Sequence, residues 1–150
     1  MDIRSIDSAI IGWLQRVFVP AARFALFMIF FWFGALKLLG LSPAGPLVES
    51  LFYRTISWIQ FPAFYTGFAL FECLIGVLFL IPRATRLVIP LLALHMATTF
   101  LPLVFLPRAT WQAFLVPTLE GQYIIKNLVI IAAAIGITAH LTPMREAPRS

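Results

Sequence analysis

Four apolar stretches run along this chain, and each carries an ionisable side chain inside the length a helix needs to cross a bilayer. Lys37 lies in the first, Glu72 in the second, His95 in the third and Lys126 in the fourth. A charge at the centre of a membrane helix costs about 2.5–3.5 kcal/mol on insertion scales, so such side chains face a partner or a wet cavity. The pattern predicts an all-α integral membrane four-helix bundle with a polar interior. Specific chemistry is expected there.

Composition agrees. Of the 150 residues 61% are hydrophobic and 11% charged, whereas a soluble domain has about half and about a quarter. One core cannot bury that excess, so lipid must cover the rest. A single domain over 1–150 is expected. The net charge of +5 reads as a topology signal, and no nucleic-acid partner is expected. Cys73 is the only cysteine, which excludes an internal disulfide and a cysteine-built metal site; no metal is expected. Asp2, Arg4, Asp7, Gln15 and Arg16 interrupt any signal-type apolar core, so the first span is expected to be retained.

Residues 3–18 read as an N-terminal amphipathic interfacial helix, with Ile3, Ile6, Ile10, Leu14 and Phe18 at steps of three and four. Pro20 then precedes the first span. The spans are placed at about 21–41, 61–81, 87–106 and 122–141, each near the roughly 20 residues required. Pro102 is expected to kink or end the third, while Pro90 is near its first turn and tolerable. Arg4, Arg16, Arg23, Arg83, Arg86, Arg145 and Arg149 fall on one side, and only Arg54 and Arg108 on the other. That bias puts both termini in the cytoplasm.

The two outer loops, 42–60 and 107–121, hold apolar, aromatic segments at 47–59 and 111–119. They are expected to lie in the outer interface or to dip between helix ends as a lid. Trp58, Trp111 and Tyr123 suit an outer aromatic belt, and Trp13 an inner one. Small residues recur at Thr66, Ala69, Cys73 and Gly76, at Ala93 and Ala97, and at Ala132, Gly136 and Ala139. Such stripes let helices approach closely. Glu72 shares a side with Ala69, Cys73 and Gly76, so it points into the bundle.

A rise of about 1.5 Å per residue gives depths. Glu72 and His95 share the middle of the bilayer, with Thr98 and Thr99 one turn beyond His95. Lys37 and Lys126 each stand about 24 Å up a core of about 30 Å. Lys37, Lys126 and Asn127 therefore form an upper polar layer, which Glu49 and Glu120 would close. The two lysines are expected to act together around one counter-group (Glu72 from below, Glu49 or Glu120 from above, or an oxygen of a quinone or anionic lipid), unless both snorkel to the interface. The candidate ligand-binding residues are Lys37, Glu72, His95, Thr98, Thr99, Lys126 and Asn127. Glu72 is the best candidate for proton chemistry. His140 lies far from His95 in depth, so a bis-histidine haem is not expected, although a single axial ligand at His95 stays open. No glycine-rich phosphate loop, nucleophile elbow or zinc-binding helix motif is present.

FFWFGALKLLG around Lys37, PLVES, ALFECLIGVLFLIP around Glu72, HMATTFLPLVFLP around Thr98 and Thr99, and EGQYIIKNLVIIAAA with Lys126 and Asn127 follow in that order. Over residues 20–141 the chain resembles the DoxX-like membrane proteins, in the branch that includes reactive-chlorine-resistance inner-membrane proteins. That branch often has an acid after the last lysine, where this chain has Asn127. The resemblance implies a four-helix bundle of the bacterial inner membrane, linked to redox physiology. Relatives include quinone-reducing subunits of sulfur oxidation and partners of antioxidant enzymes.

Three functions compete at this point. The first is a redox-linked membrane protein binding a quinone or similar lipophilic carrier, with lysine or histidine on its carbonyl and Glu72 delivering a proton. The second is a non-enzymatic accessory subunit packed against a larger membrane complex. The third is a small transporter or proton path through Glu72 and His95. Catalytic activity is left open. Expected partners are the lipid bilayer and a membrane protein or a second copy of the chain.

Overall fold

The computed structural model describes residues 2–56 and 58–142. Arg145 and Arg149, counted above for orientation, lie outside the described residues. The helices are α1 (Ile3–Leu38), α2 (Gly45–Thr55), α3 (Phe61–Leu80), α4 (Thr85–Phe100), α5 (Pro102–Phe105), α6 (Pro107–Thr110), α7 (Leu119–Lys126) and α8 (Leu128–Ala139). A 3-10 turn, Pro82–Ala84, joins α3 to α4. A two-stranded antiparallel hairpin, β1 (Trp111–Ala113) and β2 (Val116–Pro117), joins α6 to α7.

Among the described residues four helical segments are long and apolar enough to cross a membrane: Ile3–Leu38, Phe61–Leu80, Pro82–Phe105 and Leu119–Ala139. The chain is an all-α bundle suited to a lipid bilayer. α1 packs on α3 and α8, and α4 packs on α3 and α8, so the four spans close into a ring. Leu26 and Phe30 of α1, Ile75 and Phe79 of α3, Val88, Leu92 and Met96 of α4, and Ile130 and Ile137 of α8 fill its centre. These recur at steps of about four, the spacing of one helix face.

The amphipathic N-terminal stretch is not a separate helix. It runs on through Pro20 into the first span as one helix of 36 residues, about 54 Å long. Proline removes the N–H that would bond the Arg16 carbonyl. Ile3, Ile10, Trp13 and Leu14 are all exposed on this extension.

The far end of α1 stops for a clear reason. Gly40 has φ +70°, a left-handed conformation that glycine adopts without steric cost. Leu41 N–H then bonds the Leu36 carbonyl at 2.8 Å, and Gly40 N–H bonds that of Lys37 at 3.1 Å. This paired closure satisfies carbonyls that the helix leaves free. It also fixes Lys37 in the last turn of α1, where the helix dipole favours a cation.

Pro102 ends α4 as expected, with Leu101 N–H taking the Thr98 carbonyl at 3.2 Å. The fourth span has a turn at Asn127, where α7 passes into α8 with the backbone still in the right-handed helical region. The small-residue stripe of α3 does face a neighbour: a methyl added at Gly76 would lie 2.8 Å from Phe31 N. The α4 stripe does not, since Ala93 and Ala97 are exposed. In α8 Ala132 and Ala139 are exposed as well, and Ala134 is the buried alanine.

At the other end of the bundle Arg23, read above only as a topology charge, bridges two helices. Its guanidinium donates to the Phe79 carbonyl at 3.2 Å and to the Thr85 hydroxyl at 2.5 Å. Thr85 is buried and its hydroxyl donates to the Pro82 carbonyl. Arg23 thus ties α1 to the turn between α3 and α4.

Candidate functional site

Lys37, Glu72 and His95 meet in the interior. Lys37 Nζ donates to Glu72 Oε2 at 2.6 Å, and His95 Nε2 stands 3.0 Å from Glu72 Oε1. All three are more than nine-tenths buried, at 7%, 6% and 5% exposure. They come from three helices, α1, α3 and α4. Each helix supplies one member because each is held in the ring at the depth its sequence position sets.

Burying these groups is tolerable because each is paired. A lysine ammonium and a glutamate carboxylate cancel, and a neutral imidazole adds no charge. Among the described residues no buried side-chain nitrogen or oxygen lacks a hydrogen-bond partner. The partners continue outward. Thr99 Oγ1 lies 3.2 Å from His95 Nδ1 and 2.9 Å from the His95 carbonyl oxygen. Thr98 donates to the same carbonyl at 2.7 Å.

This geometry can hold one more proton without moving a heavy atom. A hydroxyl has one proton and can also accept. If Thr99 donates to Nδ1, the imidazole is neutral and its Nε2–H donates to the Glu72 carboxylate. If Thr99 turns to the His95 carbonyl, its oxygen can accept from Nδ1–H, and the ring can be an imidazolium facing Glu72. Rotation of one hydroxyl separates the two states.

Aromatic rings wall the trio. Phe30 meets His95 edge to face at a centroid distance of 5.3 Å. Phe68 stacks on His95 at 5.2 Å with 10° between the planes. The same Phe68 ring lies 5.7 Å from Lys37 Nζ. Phe64 stacks on Phe68 in turn, at 5.9 Å and 11°. Sequence reasoning missed these rings. The available signal was that Phe64, Phe68 and Glu72 follow at steps of four, on one face of α3.

The rest of the expected upper layer does not assemble. Lys126 is exposed and lies over the Tyr123 ring at 5.3 Å. Among the described residues it makes no ion pair, and Lys37 pairs with Glu72 alone. Depth arithmetic gives Lys126 the height of Lys37 but not its direction. The Lys37 stem is instead long enough to reach down to Glu72. Glu49 and Glu120 are exposed and form no ion pair among the described residues. Asn127 is half-buried at the α7–α8 joint, where its backbone continues the helix. The expected cooperation of Lys37 with Lys126 is therefore corrected to a Lys37–Glu72–His95 chain.

Two clefts of about 410 and 450 Å³ open away from this trio. One is formed by Trp111, Ala113, Phe114 and Leu115, the other by residues of α1 from Trp13 to Ala21 with His140. Neither is lined by an acid or a base other than His140. Side-chain chemistry, not volume, locates the site. No group of three or more His, Cys, Asp or Glu is placed to hold a metal among the described residues. Both ring nitrogens of His95 are already engaged, so an axial bond to iron would have to displace Glu72 or Thr99. No family model, curated protein or solved structure matches the chain.

Proposed function

We propose that this chain is a small bacterial inner-membrane protein of redox physiology. It binds a quinone-like lipophilic carrier beside a proton-holding site in its bundle. The observation that carries this reading is the buried Lys37–Glu72–His95 chain, with links of 2.6 and 3.0 Å, extended by Thr99. A carbonyl entering such a site finds an ammonium donor. A reduced carrier needs protons as well as electrons, and Glu72 with His95 can hold one proton within the membrane. The apolar, aromatic surroundings suit a ring and its tail. The DoxX-like motifs around Lys37 and Glu72 point to the same physiology.

Glu72→Gln tests this. The amide keeps the size and can bond both neighbours, but it leaves the Lys37 ammonium without its counter-charge, so binding is compared only in Gln protein that retains a cooperative melt. In lipid nanodiscs, wild-type affinity for decylubiquinone should depend on pH, because the carrier lies against a pair that can gain or lose a proton. The Gln variant should bind with little pH dependence. Unchanged pH dependence in a folded Gln variant would remove Glu72 from the proton chemistry.

The arginine asymmetry supports cytoplasmic termini, with the hairpin and α2 on the opposite side. A fluorescent reporter fused to the C-terminus should mature, whereas a phosphatase fused there should be inactive. An active phosphatase would invert the topology.

A further inference from the structure

The trio is not walled equally on all sides. Phe30 is buried at 3% exposure, whereas Phe68 is only half-buried and so reaches the outer face of the bundle. The Phe68 ring covers two polar groups at once, stacked on His95 and set over the Lys37 ammonium. Lys37 Nζ makes one hydrogen bond among the described residues, to Glu72. An ammonium carries three N–H donors. The remaining donor capacity of a deeply buried cation is met here by the Phe68 π face, a weaker partner than an oxygen.

We propose that Phe68 is the gate of the site. Its ring and the planar, carbonyl-bearing ring of a quinone compete for one seat, against His95 and over Lys37. This rests on the carrier reading above and specifies where the carrier lies and how it enters. A quinone ring in that seat stacks on the imidazole as Phe68 does. Its carbonyl oxygen accepts from Lys37, replacing a cation–π contact by a charge-assisted hydrogen bond. Entry is lateral, from the lipid, because Phe68, unlike the buried Phe30, is partly exposed at the surface of the bundle. Phe64, stacked on Phe68, would continue the stack beneath a displaced ring.

The test is binding of decylubiquinone, with decylbenzene as the ring that lacks carbonyls, to purified protein in lipid nanodiscs. Phe68→Ala should bind decylubiquinone roughly tenfold more tightly than wild type, and Phe68→Trp roughly tenfold more weakly, the scale of one hydrogen bond to a charged group. The preference of Phe68→Ala for decylubiquinone over decylbenzene should vanish when Lys37→Met is added. Phe68→Leu, which leaves a smaller hole, should fall between wild type and the Ala variant, and it carries the comparison if the Ala variant shows no cooperative melt. Equal affinity in wild type and all folded Phe68 variants would overturn the gate while leaving the carrier reading standing. Decylbenzene binding to Phe68→Ala as tightly as decylubiquinone would show an apolar hole only, and would overturn it too. No decylubiquinone binding by wild type or any variant would overturn both proposals together.

Discussion

Lys37→Met should lower the thermal midpoint of the purified protein sharply, and adding Glu72→Leu should recover much of the loss. The single change strands a carboxylate that has lost its 2.6 Å partner in a site about 6% exposed. Breaking a buried pair from one side costs about 3–5 kcal/mol, whereas replacing both members by apolar groups is often neutral or stabilising. Recovery will be incomplete, because the double variant leaves His95 Nε2 without its 3.0 Å partner, and an unmatched buried polar group costs about 1–3 kcal/mol. A double-mutant cycle measured by denaturation in detergent reads the coupling directly. Lys126→Met, at an exposed position, should leave the midpoint unchanged and be additive with Lys37→Met. Additivity between Lys37→Met and Glu72→Leu would mean that the pair is not formed in the folded protein. Partial recovery of the midpoint in the double variant, with carrier binding lost, would separate stability from function at Lys37 and Glu72.

Helical rise alone put Glu72 and His95 at one depth, and they are bonded. The side of α3 that Glu72 shares with Ala69 and Gly76 marked it as inward, and it is. Depth says nothing about azimuth around a helix, however: Lys126 shares the height of Lys37 but is exposed over the Tyr123 ring. Pro20 precedes the expected first span, and α1 continues through it. Phe68 was invisible as a functional residue because fifteen phenylalanines stand in this chain, and a single one has no signature until its neighbours are known. Arg23 was hidden for a related reason. A basic residue near a span end has an ordinary topological use, and only the fold shows the Phe79 carbonyl and Thr85 hydroxyl within its reach.

Gly34→Val and Gly76→Val should each unfold the bundle along the seam between α1 and α3. A methyl added at Gly34 would stand 2.7 Å from the Cys73 sulfur and 2.8 Å from the Ala69 carbonyl oxygen. At Gly76 it would stand 2.8 Å from Phe31 N and 3.1 Å from the Phe27 carbonyl oxygen. Three of these four contacts are backbone atoms, which cannot turn aside as a side-chain end can. The helices must therefore separate, and overpacking of this kind costs about 1–3 kcal/mol and sometimes more. Gly67 has nothing within 4 Å of the same added methyl, so Gly67→Val is the control and should leave the midpoint nearly unchanged. The seam also sets the site. Gly34 precedes Lys37 by one turn, and Gly76 follows Glu72 by one turn, so the close approach that these glycines permit is what brings ammonium and carboxylate to 2.6 Å. Forcing α1 away from α3 should consequently weaken decylubiquinone binding in whatever fraction remains folded. A Gly34→Val protein with wild-type melting and binding would show that the two helices are not held this closely.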